Sequence, residues 1–151
     1  MKLTARPLTT IVTVEARRRL GFVDLTPALE REVAQAGGDG FVLAFCRHTT
    51  CALVVNELED GVQEDVGARL DELFPPSIYY AHDDLSIRTQ NLQDGERANG
   101  HAHVAQMLMG GTSHTIPVAG GVPLLGRWQK LLLVELDQPK PREVVIQVYA
   151  A

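Results

Sequence analysis

The chain has 151 residues, 45% hydrophobic and 22% charged, with 14 basic against 19 acidic residues and a net charge of −5. That length supports one self-sufficient core and the composition excludes disorder, so a single domain over 1–151 is expected. The acidic balance argues against a nucleic-acid binder, although Arg127, Lys130, Lys140 and Arg142 can still meet a small anionic molecule.

Residues 1–14 mix Lys2, Arg6 and Pro7 with short apolar runs, so no secretory leader is expected. No apolar stretch reaches the ~20 residues of a membrane span. Cys46 and Cys51 are too few for a disulfide framework, and the close pair Cys46 and Cys51 lacks the second pair a zinc site needs. Buried free thiols in a cytoplasmic protein, with no membrane partner, are the expectation.

The β-branched run over 9–14 predicts a strand. Thr26-Pro27 reads as an N-cap followed by proline at the first helical position, with Leu29, Val33 and Ala36 on one face and Gly37-Gly38 as the stop. Residues 40–46 form a continuous apolar run, as expected of a strand covered on both faces, and residues 52–55 read as a second such strand. Asp60 is expected to cap an amphipathic helix carrying Val62, Val66, Leu70 and Leu73, ended by Pro75-Pro76. The irregular polar segment 78–93 reads as a loop. A further helix is predicted over 97–109, stopped by Gly110-Gly111. Strands at 113–118, 130–136 and 143–149 complete the chain. Helices falling between clusters of strands favour an α+β fold, a largely antiparallel sheet packed with two to three helices.

Four of the five histidines lie in three short polar segments, His48-Thr49-Thr50, His82-Asp83-Asp84 and Asn99-Gly100-His101-Ala102-His103. Imidazole suits both metal binding and proton transfer near neutral pH. His48 ends a strand and could enter a cleft with Thr49 and Thr50, or could be a histidine hydrogen-bonded at a strand terminus. His101 and His103 point about 200° apart on a helix. His103 is therefore read as facing a pocket and His101 as exposed. Asn99-Gly100 makes a helix N-terminus suited to an anion. Glu57, after Asn56, could act as a base or hold Mg²⁺, or belong to a capped, solvated helix face, and Asp83-Asp84 could hold a hard cation or be only a polar loop. Trp128, beside a glycine turn, reads as a packing anchor or a subunit contact.

The ordered set His48-Thr49-Thr50-Cys51-Ala52-Leu53, Asn56-Glu57, Asp60 to Asp65, Tyr80-Ala81-His82, Asn99 to His103, Leu125-Gly126-Arg127-Trp128-Gln129 and Glu135 to Arg142 resembles the YjbQ family, also called the secondary thiamine-phosphate synthase family. The resemblance implies a compact α+β domain, a homotrimer, and a site at His48, His82 and His103 that holds a metal such as zinc. It also implies weak thiamine-phosphate synthase activity, joining a pyrimidine pyrophosphate to a thiazole phosphate with release of pyrophosphate. On that reading Glu57 joins the catalytic set and Mg²⁺ accompanies the pyrophosphate. Thr49, Thr50, Asn56, Asn99, Trp128, Lys140 and Arg142 would bind substrate. A metal-dependent hydrolase at the same pocket and a non-catalytic metabolite-binding protein are the alternatives. Lys140 stands where the family has arginine and lacks the bidentate fork.

Overall fold

A computed structural model describes residues 7–150; residues 1–6, within the segment read above as no leader, and Ala151 lie outside the described residues. The β-branched N-terminal run forms β1, Leu8–Val14, and is followed by a short strand that the sequence did not announce, β2, Phe22–Asp24. Helix α1, Thr26–Ala36, leads to β3, Gly40–Cys46, and β4, Cys51–Asn56. Helix α2, Asp60–Leu73, is followed by a single 3-10 turn at Ala81–Asp83 and by α3, Gly100–Met109. Strands β5, Ser113–Ala119, β6, Val122–Pro123, β7, Lys130–Glu135, and β8, Arg142–Ala150, close the order.

The strands form two sheets, β1-β8-β3-β5-β6 and β2-β7-β4, with every pairing antiparallel. The fold is thus a single α+β domain with three helices, as the pattern of elements suggested. The main core lies between the sheets: Leu29 and Val33 of α1 meet Val42 and Ala44, Val144 and Ile146, and Leu53, Leu131 and Leu133. On the far face of the smaller sheet, Ala52 and Val134 pack with Leu70 of α2 and Ala102 and Ala105 of α3. The smaller sheet is therefore covered on both faces, which accounts for the unbroken buried run Leu131-Leu132-Leu133-Val134.

Strand β3 departs from its expectation. It is covered on one face only: Ala44 and Cys46 are buried, while Phe45 on the other face is 42% exposed. Two caps also shift by one residue. Leu25 occupies the cap position of α1, and Thr26 instead turns its hydroxyl inward to accept from the Leu131 amide at 3.0 Å. Glu59, not Asp60, caps α2, its carboxylate accepting from the amides of Gly61 and Val62 at 2.8 Å each. The predicted left-handed stop holds at Gly110, with φ of 72°.

Candidate functional site

The connections from β3 to β4 and from β7 to β8 meet at one end of the sandwich, because Cys51 pairs with Glu135 and the Arg47 amide donates to the Glu143 carbonyl. Two charges are buried beneath them. Arg142, the first residue of β8, forms a bidentate pair with Glu135, the last of β7, at 2.7 and 2.6 Å, and donates to the Thr50 hydroxyl at 3.1 Å. Glu135 also accepts from the Asp137 amide. Arg142 was expected to bind substrate, but its fork is committed to Glu135, and only its border on the cavity remains for a ligand.

Above this pair two recesses share Thr49, Asn99, His103 and Lys140. The smaller, about 310 Å³, is bordered by His48, Thr50 and Arg142. His48 takes its strand-terminus role there: Nε2 accepts from the Glu143 amide at 2.8 Å. Burial, and then the Arg142 guanidinium, hold its pKa below the usual histidine value, so the ring is neutral at pH 7 with its proton on Nδ1. The larger recess, about 960 Å³, contains His82 and His103.

These two imidazoles are brought together by the 3-10 turn and the first turn of α3, with ring centres 4.4 Å apart and planes at 52°. Arg88 holds the turn. Its guanidinium donates to the His82 carbonyl at 3.0 Å and to Glu96 at 2.6 Å, and lies 3.3 Å from His82 Nε2. Glu96 stands 3.6 Å from the same Nε2, its carboxyl held low chiefly by Arg88. Burial, then His82 and Arg88, hold His103 low, leaving it neutral at pH 7. Lys140 reaches the rim and pairs with Asp137 at 2.9 Å. Arg97 borders the recess and bonds only the Gln138 side-chain oxygen among the described residues.

Several expectations are corrected here. The α3 N-terminus is not an open anion site, because Asp83 fills it, accepting from the amides of Asn99 and Gly100 at 2.9 Å each. The helix consequently starts at Gly100 and not near Arg97. His101 is not exposed. It is buried on the core side of α3, with Nε2 lacking a hydrogen-bond partner, as does Asn99 Oδ1. Asp84 accepts from Ser86 and Tyr79, bonds that occupy its carboxylate locally.

Asn56, Glu57 and Trp128 do not join the recesses. Asn56 pairs with Lys130 at the far end of β4, about 17 Å from Cys51 at strand spacing. It accepts from the Glu57 amide. Trp128 is 61% exposed, stacked by Arg127 at 4.7 Å, and so is no core anchor.

The three imidazoles border one continuous cleft but share no coordination point. His48 spends its acceptor nitrogen on Glu143, and the Arg88 cation sits against His82. Among the described residues no group of three or more His, Cys, Asp or Glu side chains is placed to hold a metal ion. As arranged, these residues do not fit zinc. Arg88 and Glu96 escaped the sequence reading, and Glu135 and Asp137 entered it only within the stretch Glu135 to Arg142, with no role of their own. Glu135 had a signal, a carboxylate ending an otherwise apolar strand. Arg88 and Glu96 lie in segments without periodicity and had none.

No helix among the described residues is long and apolar enough to cross a membrane. The profile of the family described as UPF0047 protein YjbQ-like matches residues 10–151. A UPF0047 protein from Archaeoglobus fulgidus is 35% identical over 136 residues, covering 90% of this chain and 97% of its own. Among solved structures, a YbjQ-like protein of unknown function from Sulfolobus solfataricus superposes with a TM-score of 0.82 at 30% identity, over 97% of this chain and 99% of the other. A hypothetical protein from Aeropyrum pernix gives 0.80 at 34% identity, over 95% and 98%.

Proposed function

The chain belongs to the YjbQ-like UPF0047 family, and from that premise we propose that its cleft is the active centre of a thiamine-phosphate synthase-type transferase. The carrying observation is the larger recess, where the His82–His103 pair stands beside Arg88, Arg97 and Lys140. Its volume of about 960 Å³ lies at the upper end of small-molecule sites and suits two ring-bearing substrates together.

The chemistry asks mainly for positioning. A thiazole nitrogen attacks the methylene carbon of the pyrimidine pyrophosphate. The new C–N bond forms as the C–O bond breaks, and the electron pair leaves with pyrophosphate. Holding the two partners in line converts an encounter into a single-complex step. Lys140 and Arg97 supply positive charge at the rim for the departing phosphates, and the neutral imidazole of His103 offers a hydrogen bond without repelling a cationic product. Magnesium would arrive on the pyrophosphate, its preferred oxygen ligands. Zinc at His48, His82 and His103 would require His48 to release the Glu143 amide, so no step is assigned to it. A zinc-loaded protein that hydrolyses phosphoesters, and loses that activity to chelators, would favour the hydrolase reading instead.

The proposal includes a homotrimer in the cytoplasm. Met107 and Leu108 of α3, 79% and 71% exposed, and Trp128 are among the exposed apolar groups available for assembly to cover. Light scattering on purified protein tests the subunit number.

The activity test is direct. Purified protein is incubated with both substrates and Mg²⁺, and thiamine phosphate is quantified. His103→Ala is expected to lower turnover by about 10²-fold, the scale of one positioned polar group. Absence of product from the unmodified protein would sink the synthase reading, and unchanged turnover in the variant would remove His103 from the mechanism.

A further inference from the structure

Beneath the His48 loop two thiols lie in contact. Cys46 ends β3 and Cys51 begins β4, both are buried, and their sulfurs are 3.2 Å apart. We propose that Cys46 and Cys51 are a reversible oxidation site, closing an intramolecular disulfide across the loop that carries Arg47, His48, Thr49 and Thr50. The inference does not depend on the reaction assigned to the cleft.

Three observations carry it. The sulfurs need to approach by only about 1 Å to reach disulfide length, because a bond of 2.03–2.05 Å is the target. The two residues sit in different sheets, β3 in the larger and β4 in the smaller, so the contact is set by core packing and not by chance proximity of neighbours in one strand. Finally, both sulfurs are buried beneath a connection of only four residues, Arg47 to Thr50. Arg47 and Thr49 within that connection are exposed, so its local opening is the route an oxidant would take to the sulfurs.

The two thiols are not equivalent. The hydrogen bond shared with Cys51 holds the Cys46 thiol below its usual value against the opposing effect of burial, and raises that of Cys51. Cys46 is therefore the thiolate that meets an oxidant, and Cys51 the partner that resolves it. With a hydroperoxide as oxidant, the Cys46 sulfur attacks the O–O bond. One oxygen transfers to give a sulfenic acid, and the other leaves as hydroxide, which is protonated to water. The Cys51 sulfur then attacks the sulfenic sulfur. The S–S bond forms, the S–O bond breaks, and water departs with the Cys51 proton. Two thiols are oxidised and one peroxide is reduced.

Trypsin provides the readout, because Arg47 lies between the two cysteines. Native protein is treated with hydrogen peroxide, residual thiols are blocked under denaturing conditions, and the digest is run without reductant. Peptides 32–47 and 48–69 are expected as one linked species 2 Da lighter than their sum, separated again by dithiothreitol, with both thiols lost from the native count. Cys51→Ser is expected to abolish the link and leave Cys46 as a sulfenic or mixed-disulfide species. Two unmodified thiols after exposure, or only linkage between separate chains, would overturn the proposal. The linked peptide is measured on the unmodified chain, so a poorly folding variant does not blunt the test.

Discussion

Glu135 and Arg142 are 0% and 2% exposed, so neither charge is solvated by water and each depends on the other. Such a pair adds little net stability against an apolar replacement, but removing one partner strands a buried charge. Glu135→Gln is therefore expected to cost about 3–5 kcal/mol in denaturant unfolding. Arg142→Lys keeps the charge yet loses the fork and the Thr50 bond, and should fall between that variant and the parent. At this scale the sequence was informative where a side chain's neighbours are local. His103 faces the cleft because helical geometry turns it there once His101 faces the core. The sequence could not say which of the two would be buried, because that choice is made by Leu136 and Tyr80, distant along the chain. Arg142 was taken for a ligand for the same reason: its partner lies across a turn, and a basic residue before an apolar strand reads equally well as free.

The first turn of α3 shows how an element is fixed from outside itself. Asp83 accepts from two of its free amides, so this helix begins where the 3-10 turn allows and not where its own residues would cap it. Asp83→Ala removes two charge-assisted bonds and is expected to cost about 2 kcal/mol. It should also disturb the His82–His103 contact, which joins the same two elements, so thermal denaturation and turnover are expected to fall together. Gly100→Ala makes a separate demand. A methyl there would meet the Tyr80 Cβ at 2.5 Å, a backbone-proximal atom that cannot swing aside. Loss of stability with weakened turnover is expected, and a variant as stable as the parent would mean the turn and helix are less tightly docked than their contact implies. The strand and helix positions themselves were legible from period and breakers. The caps were not, because adjacent acidic residues such as Glu59 and Asp60 are equivalent in pattern and differ only in backbone geometry.

Taken whole, the molecule separates its candidate residues by sheet length. His48, His82, His103, Lys140 and Arg142 gather at one end, while Asn56, Glu57 and Trp128 lie at the other, a division set by the antiparallel register of β4 on β7. A linear motif set cannot reveal which end a residue reaches, because each antiparallel crossing reverses it. The same end concentrates the response to acid. His48, His101 and His103 all have pKa values held below 6.5, burial being the first cause for each. In the unfolded chain these rings take protons near 6.5, so below that pH the unfolded state binds more protons than the folded one. Stability is then fully present above about 6.5 and falls as the pH drops toward the lowered folded values. Carboxylates held low in the fold, such as Glu32, add their own loss only below about 4.5. The window between these limits belongs to the histidines. The Tm is expected to decline from pH 6.5 to 5, and His101→Asn should flatten that decline whatever it does to the Tm at pH 8. A Tm that is constant or rises across this interval would mean that the three rings accept protons as readily in the folded state as in the unfolded chain.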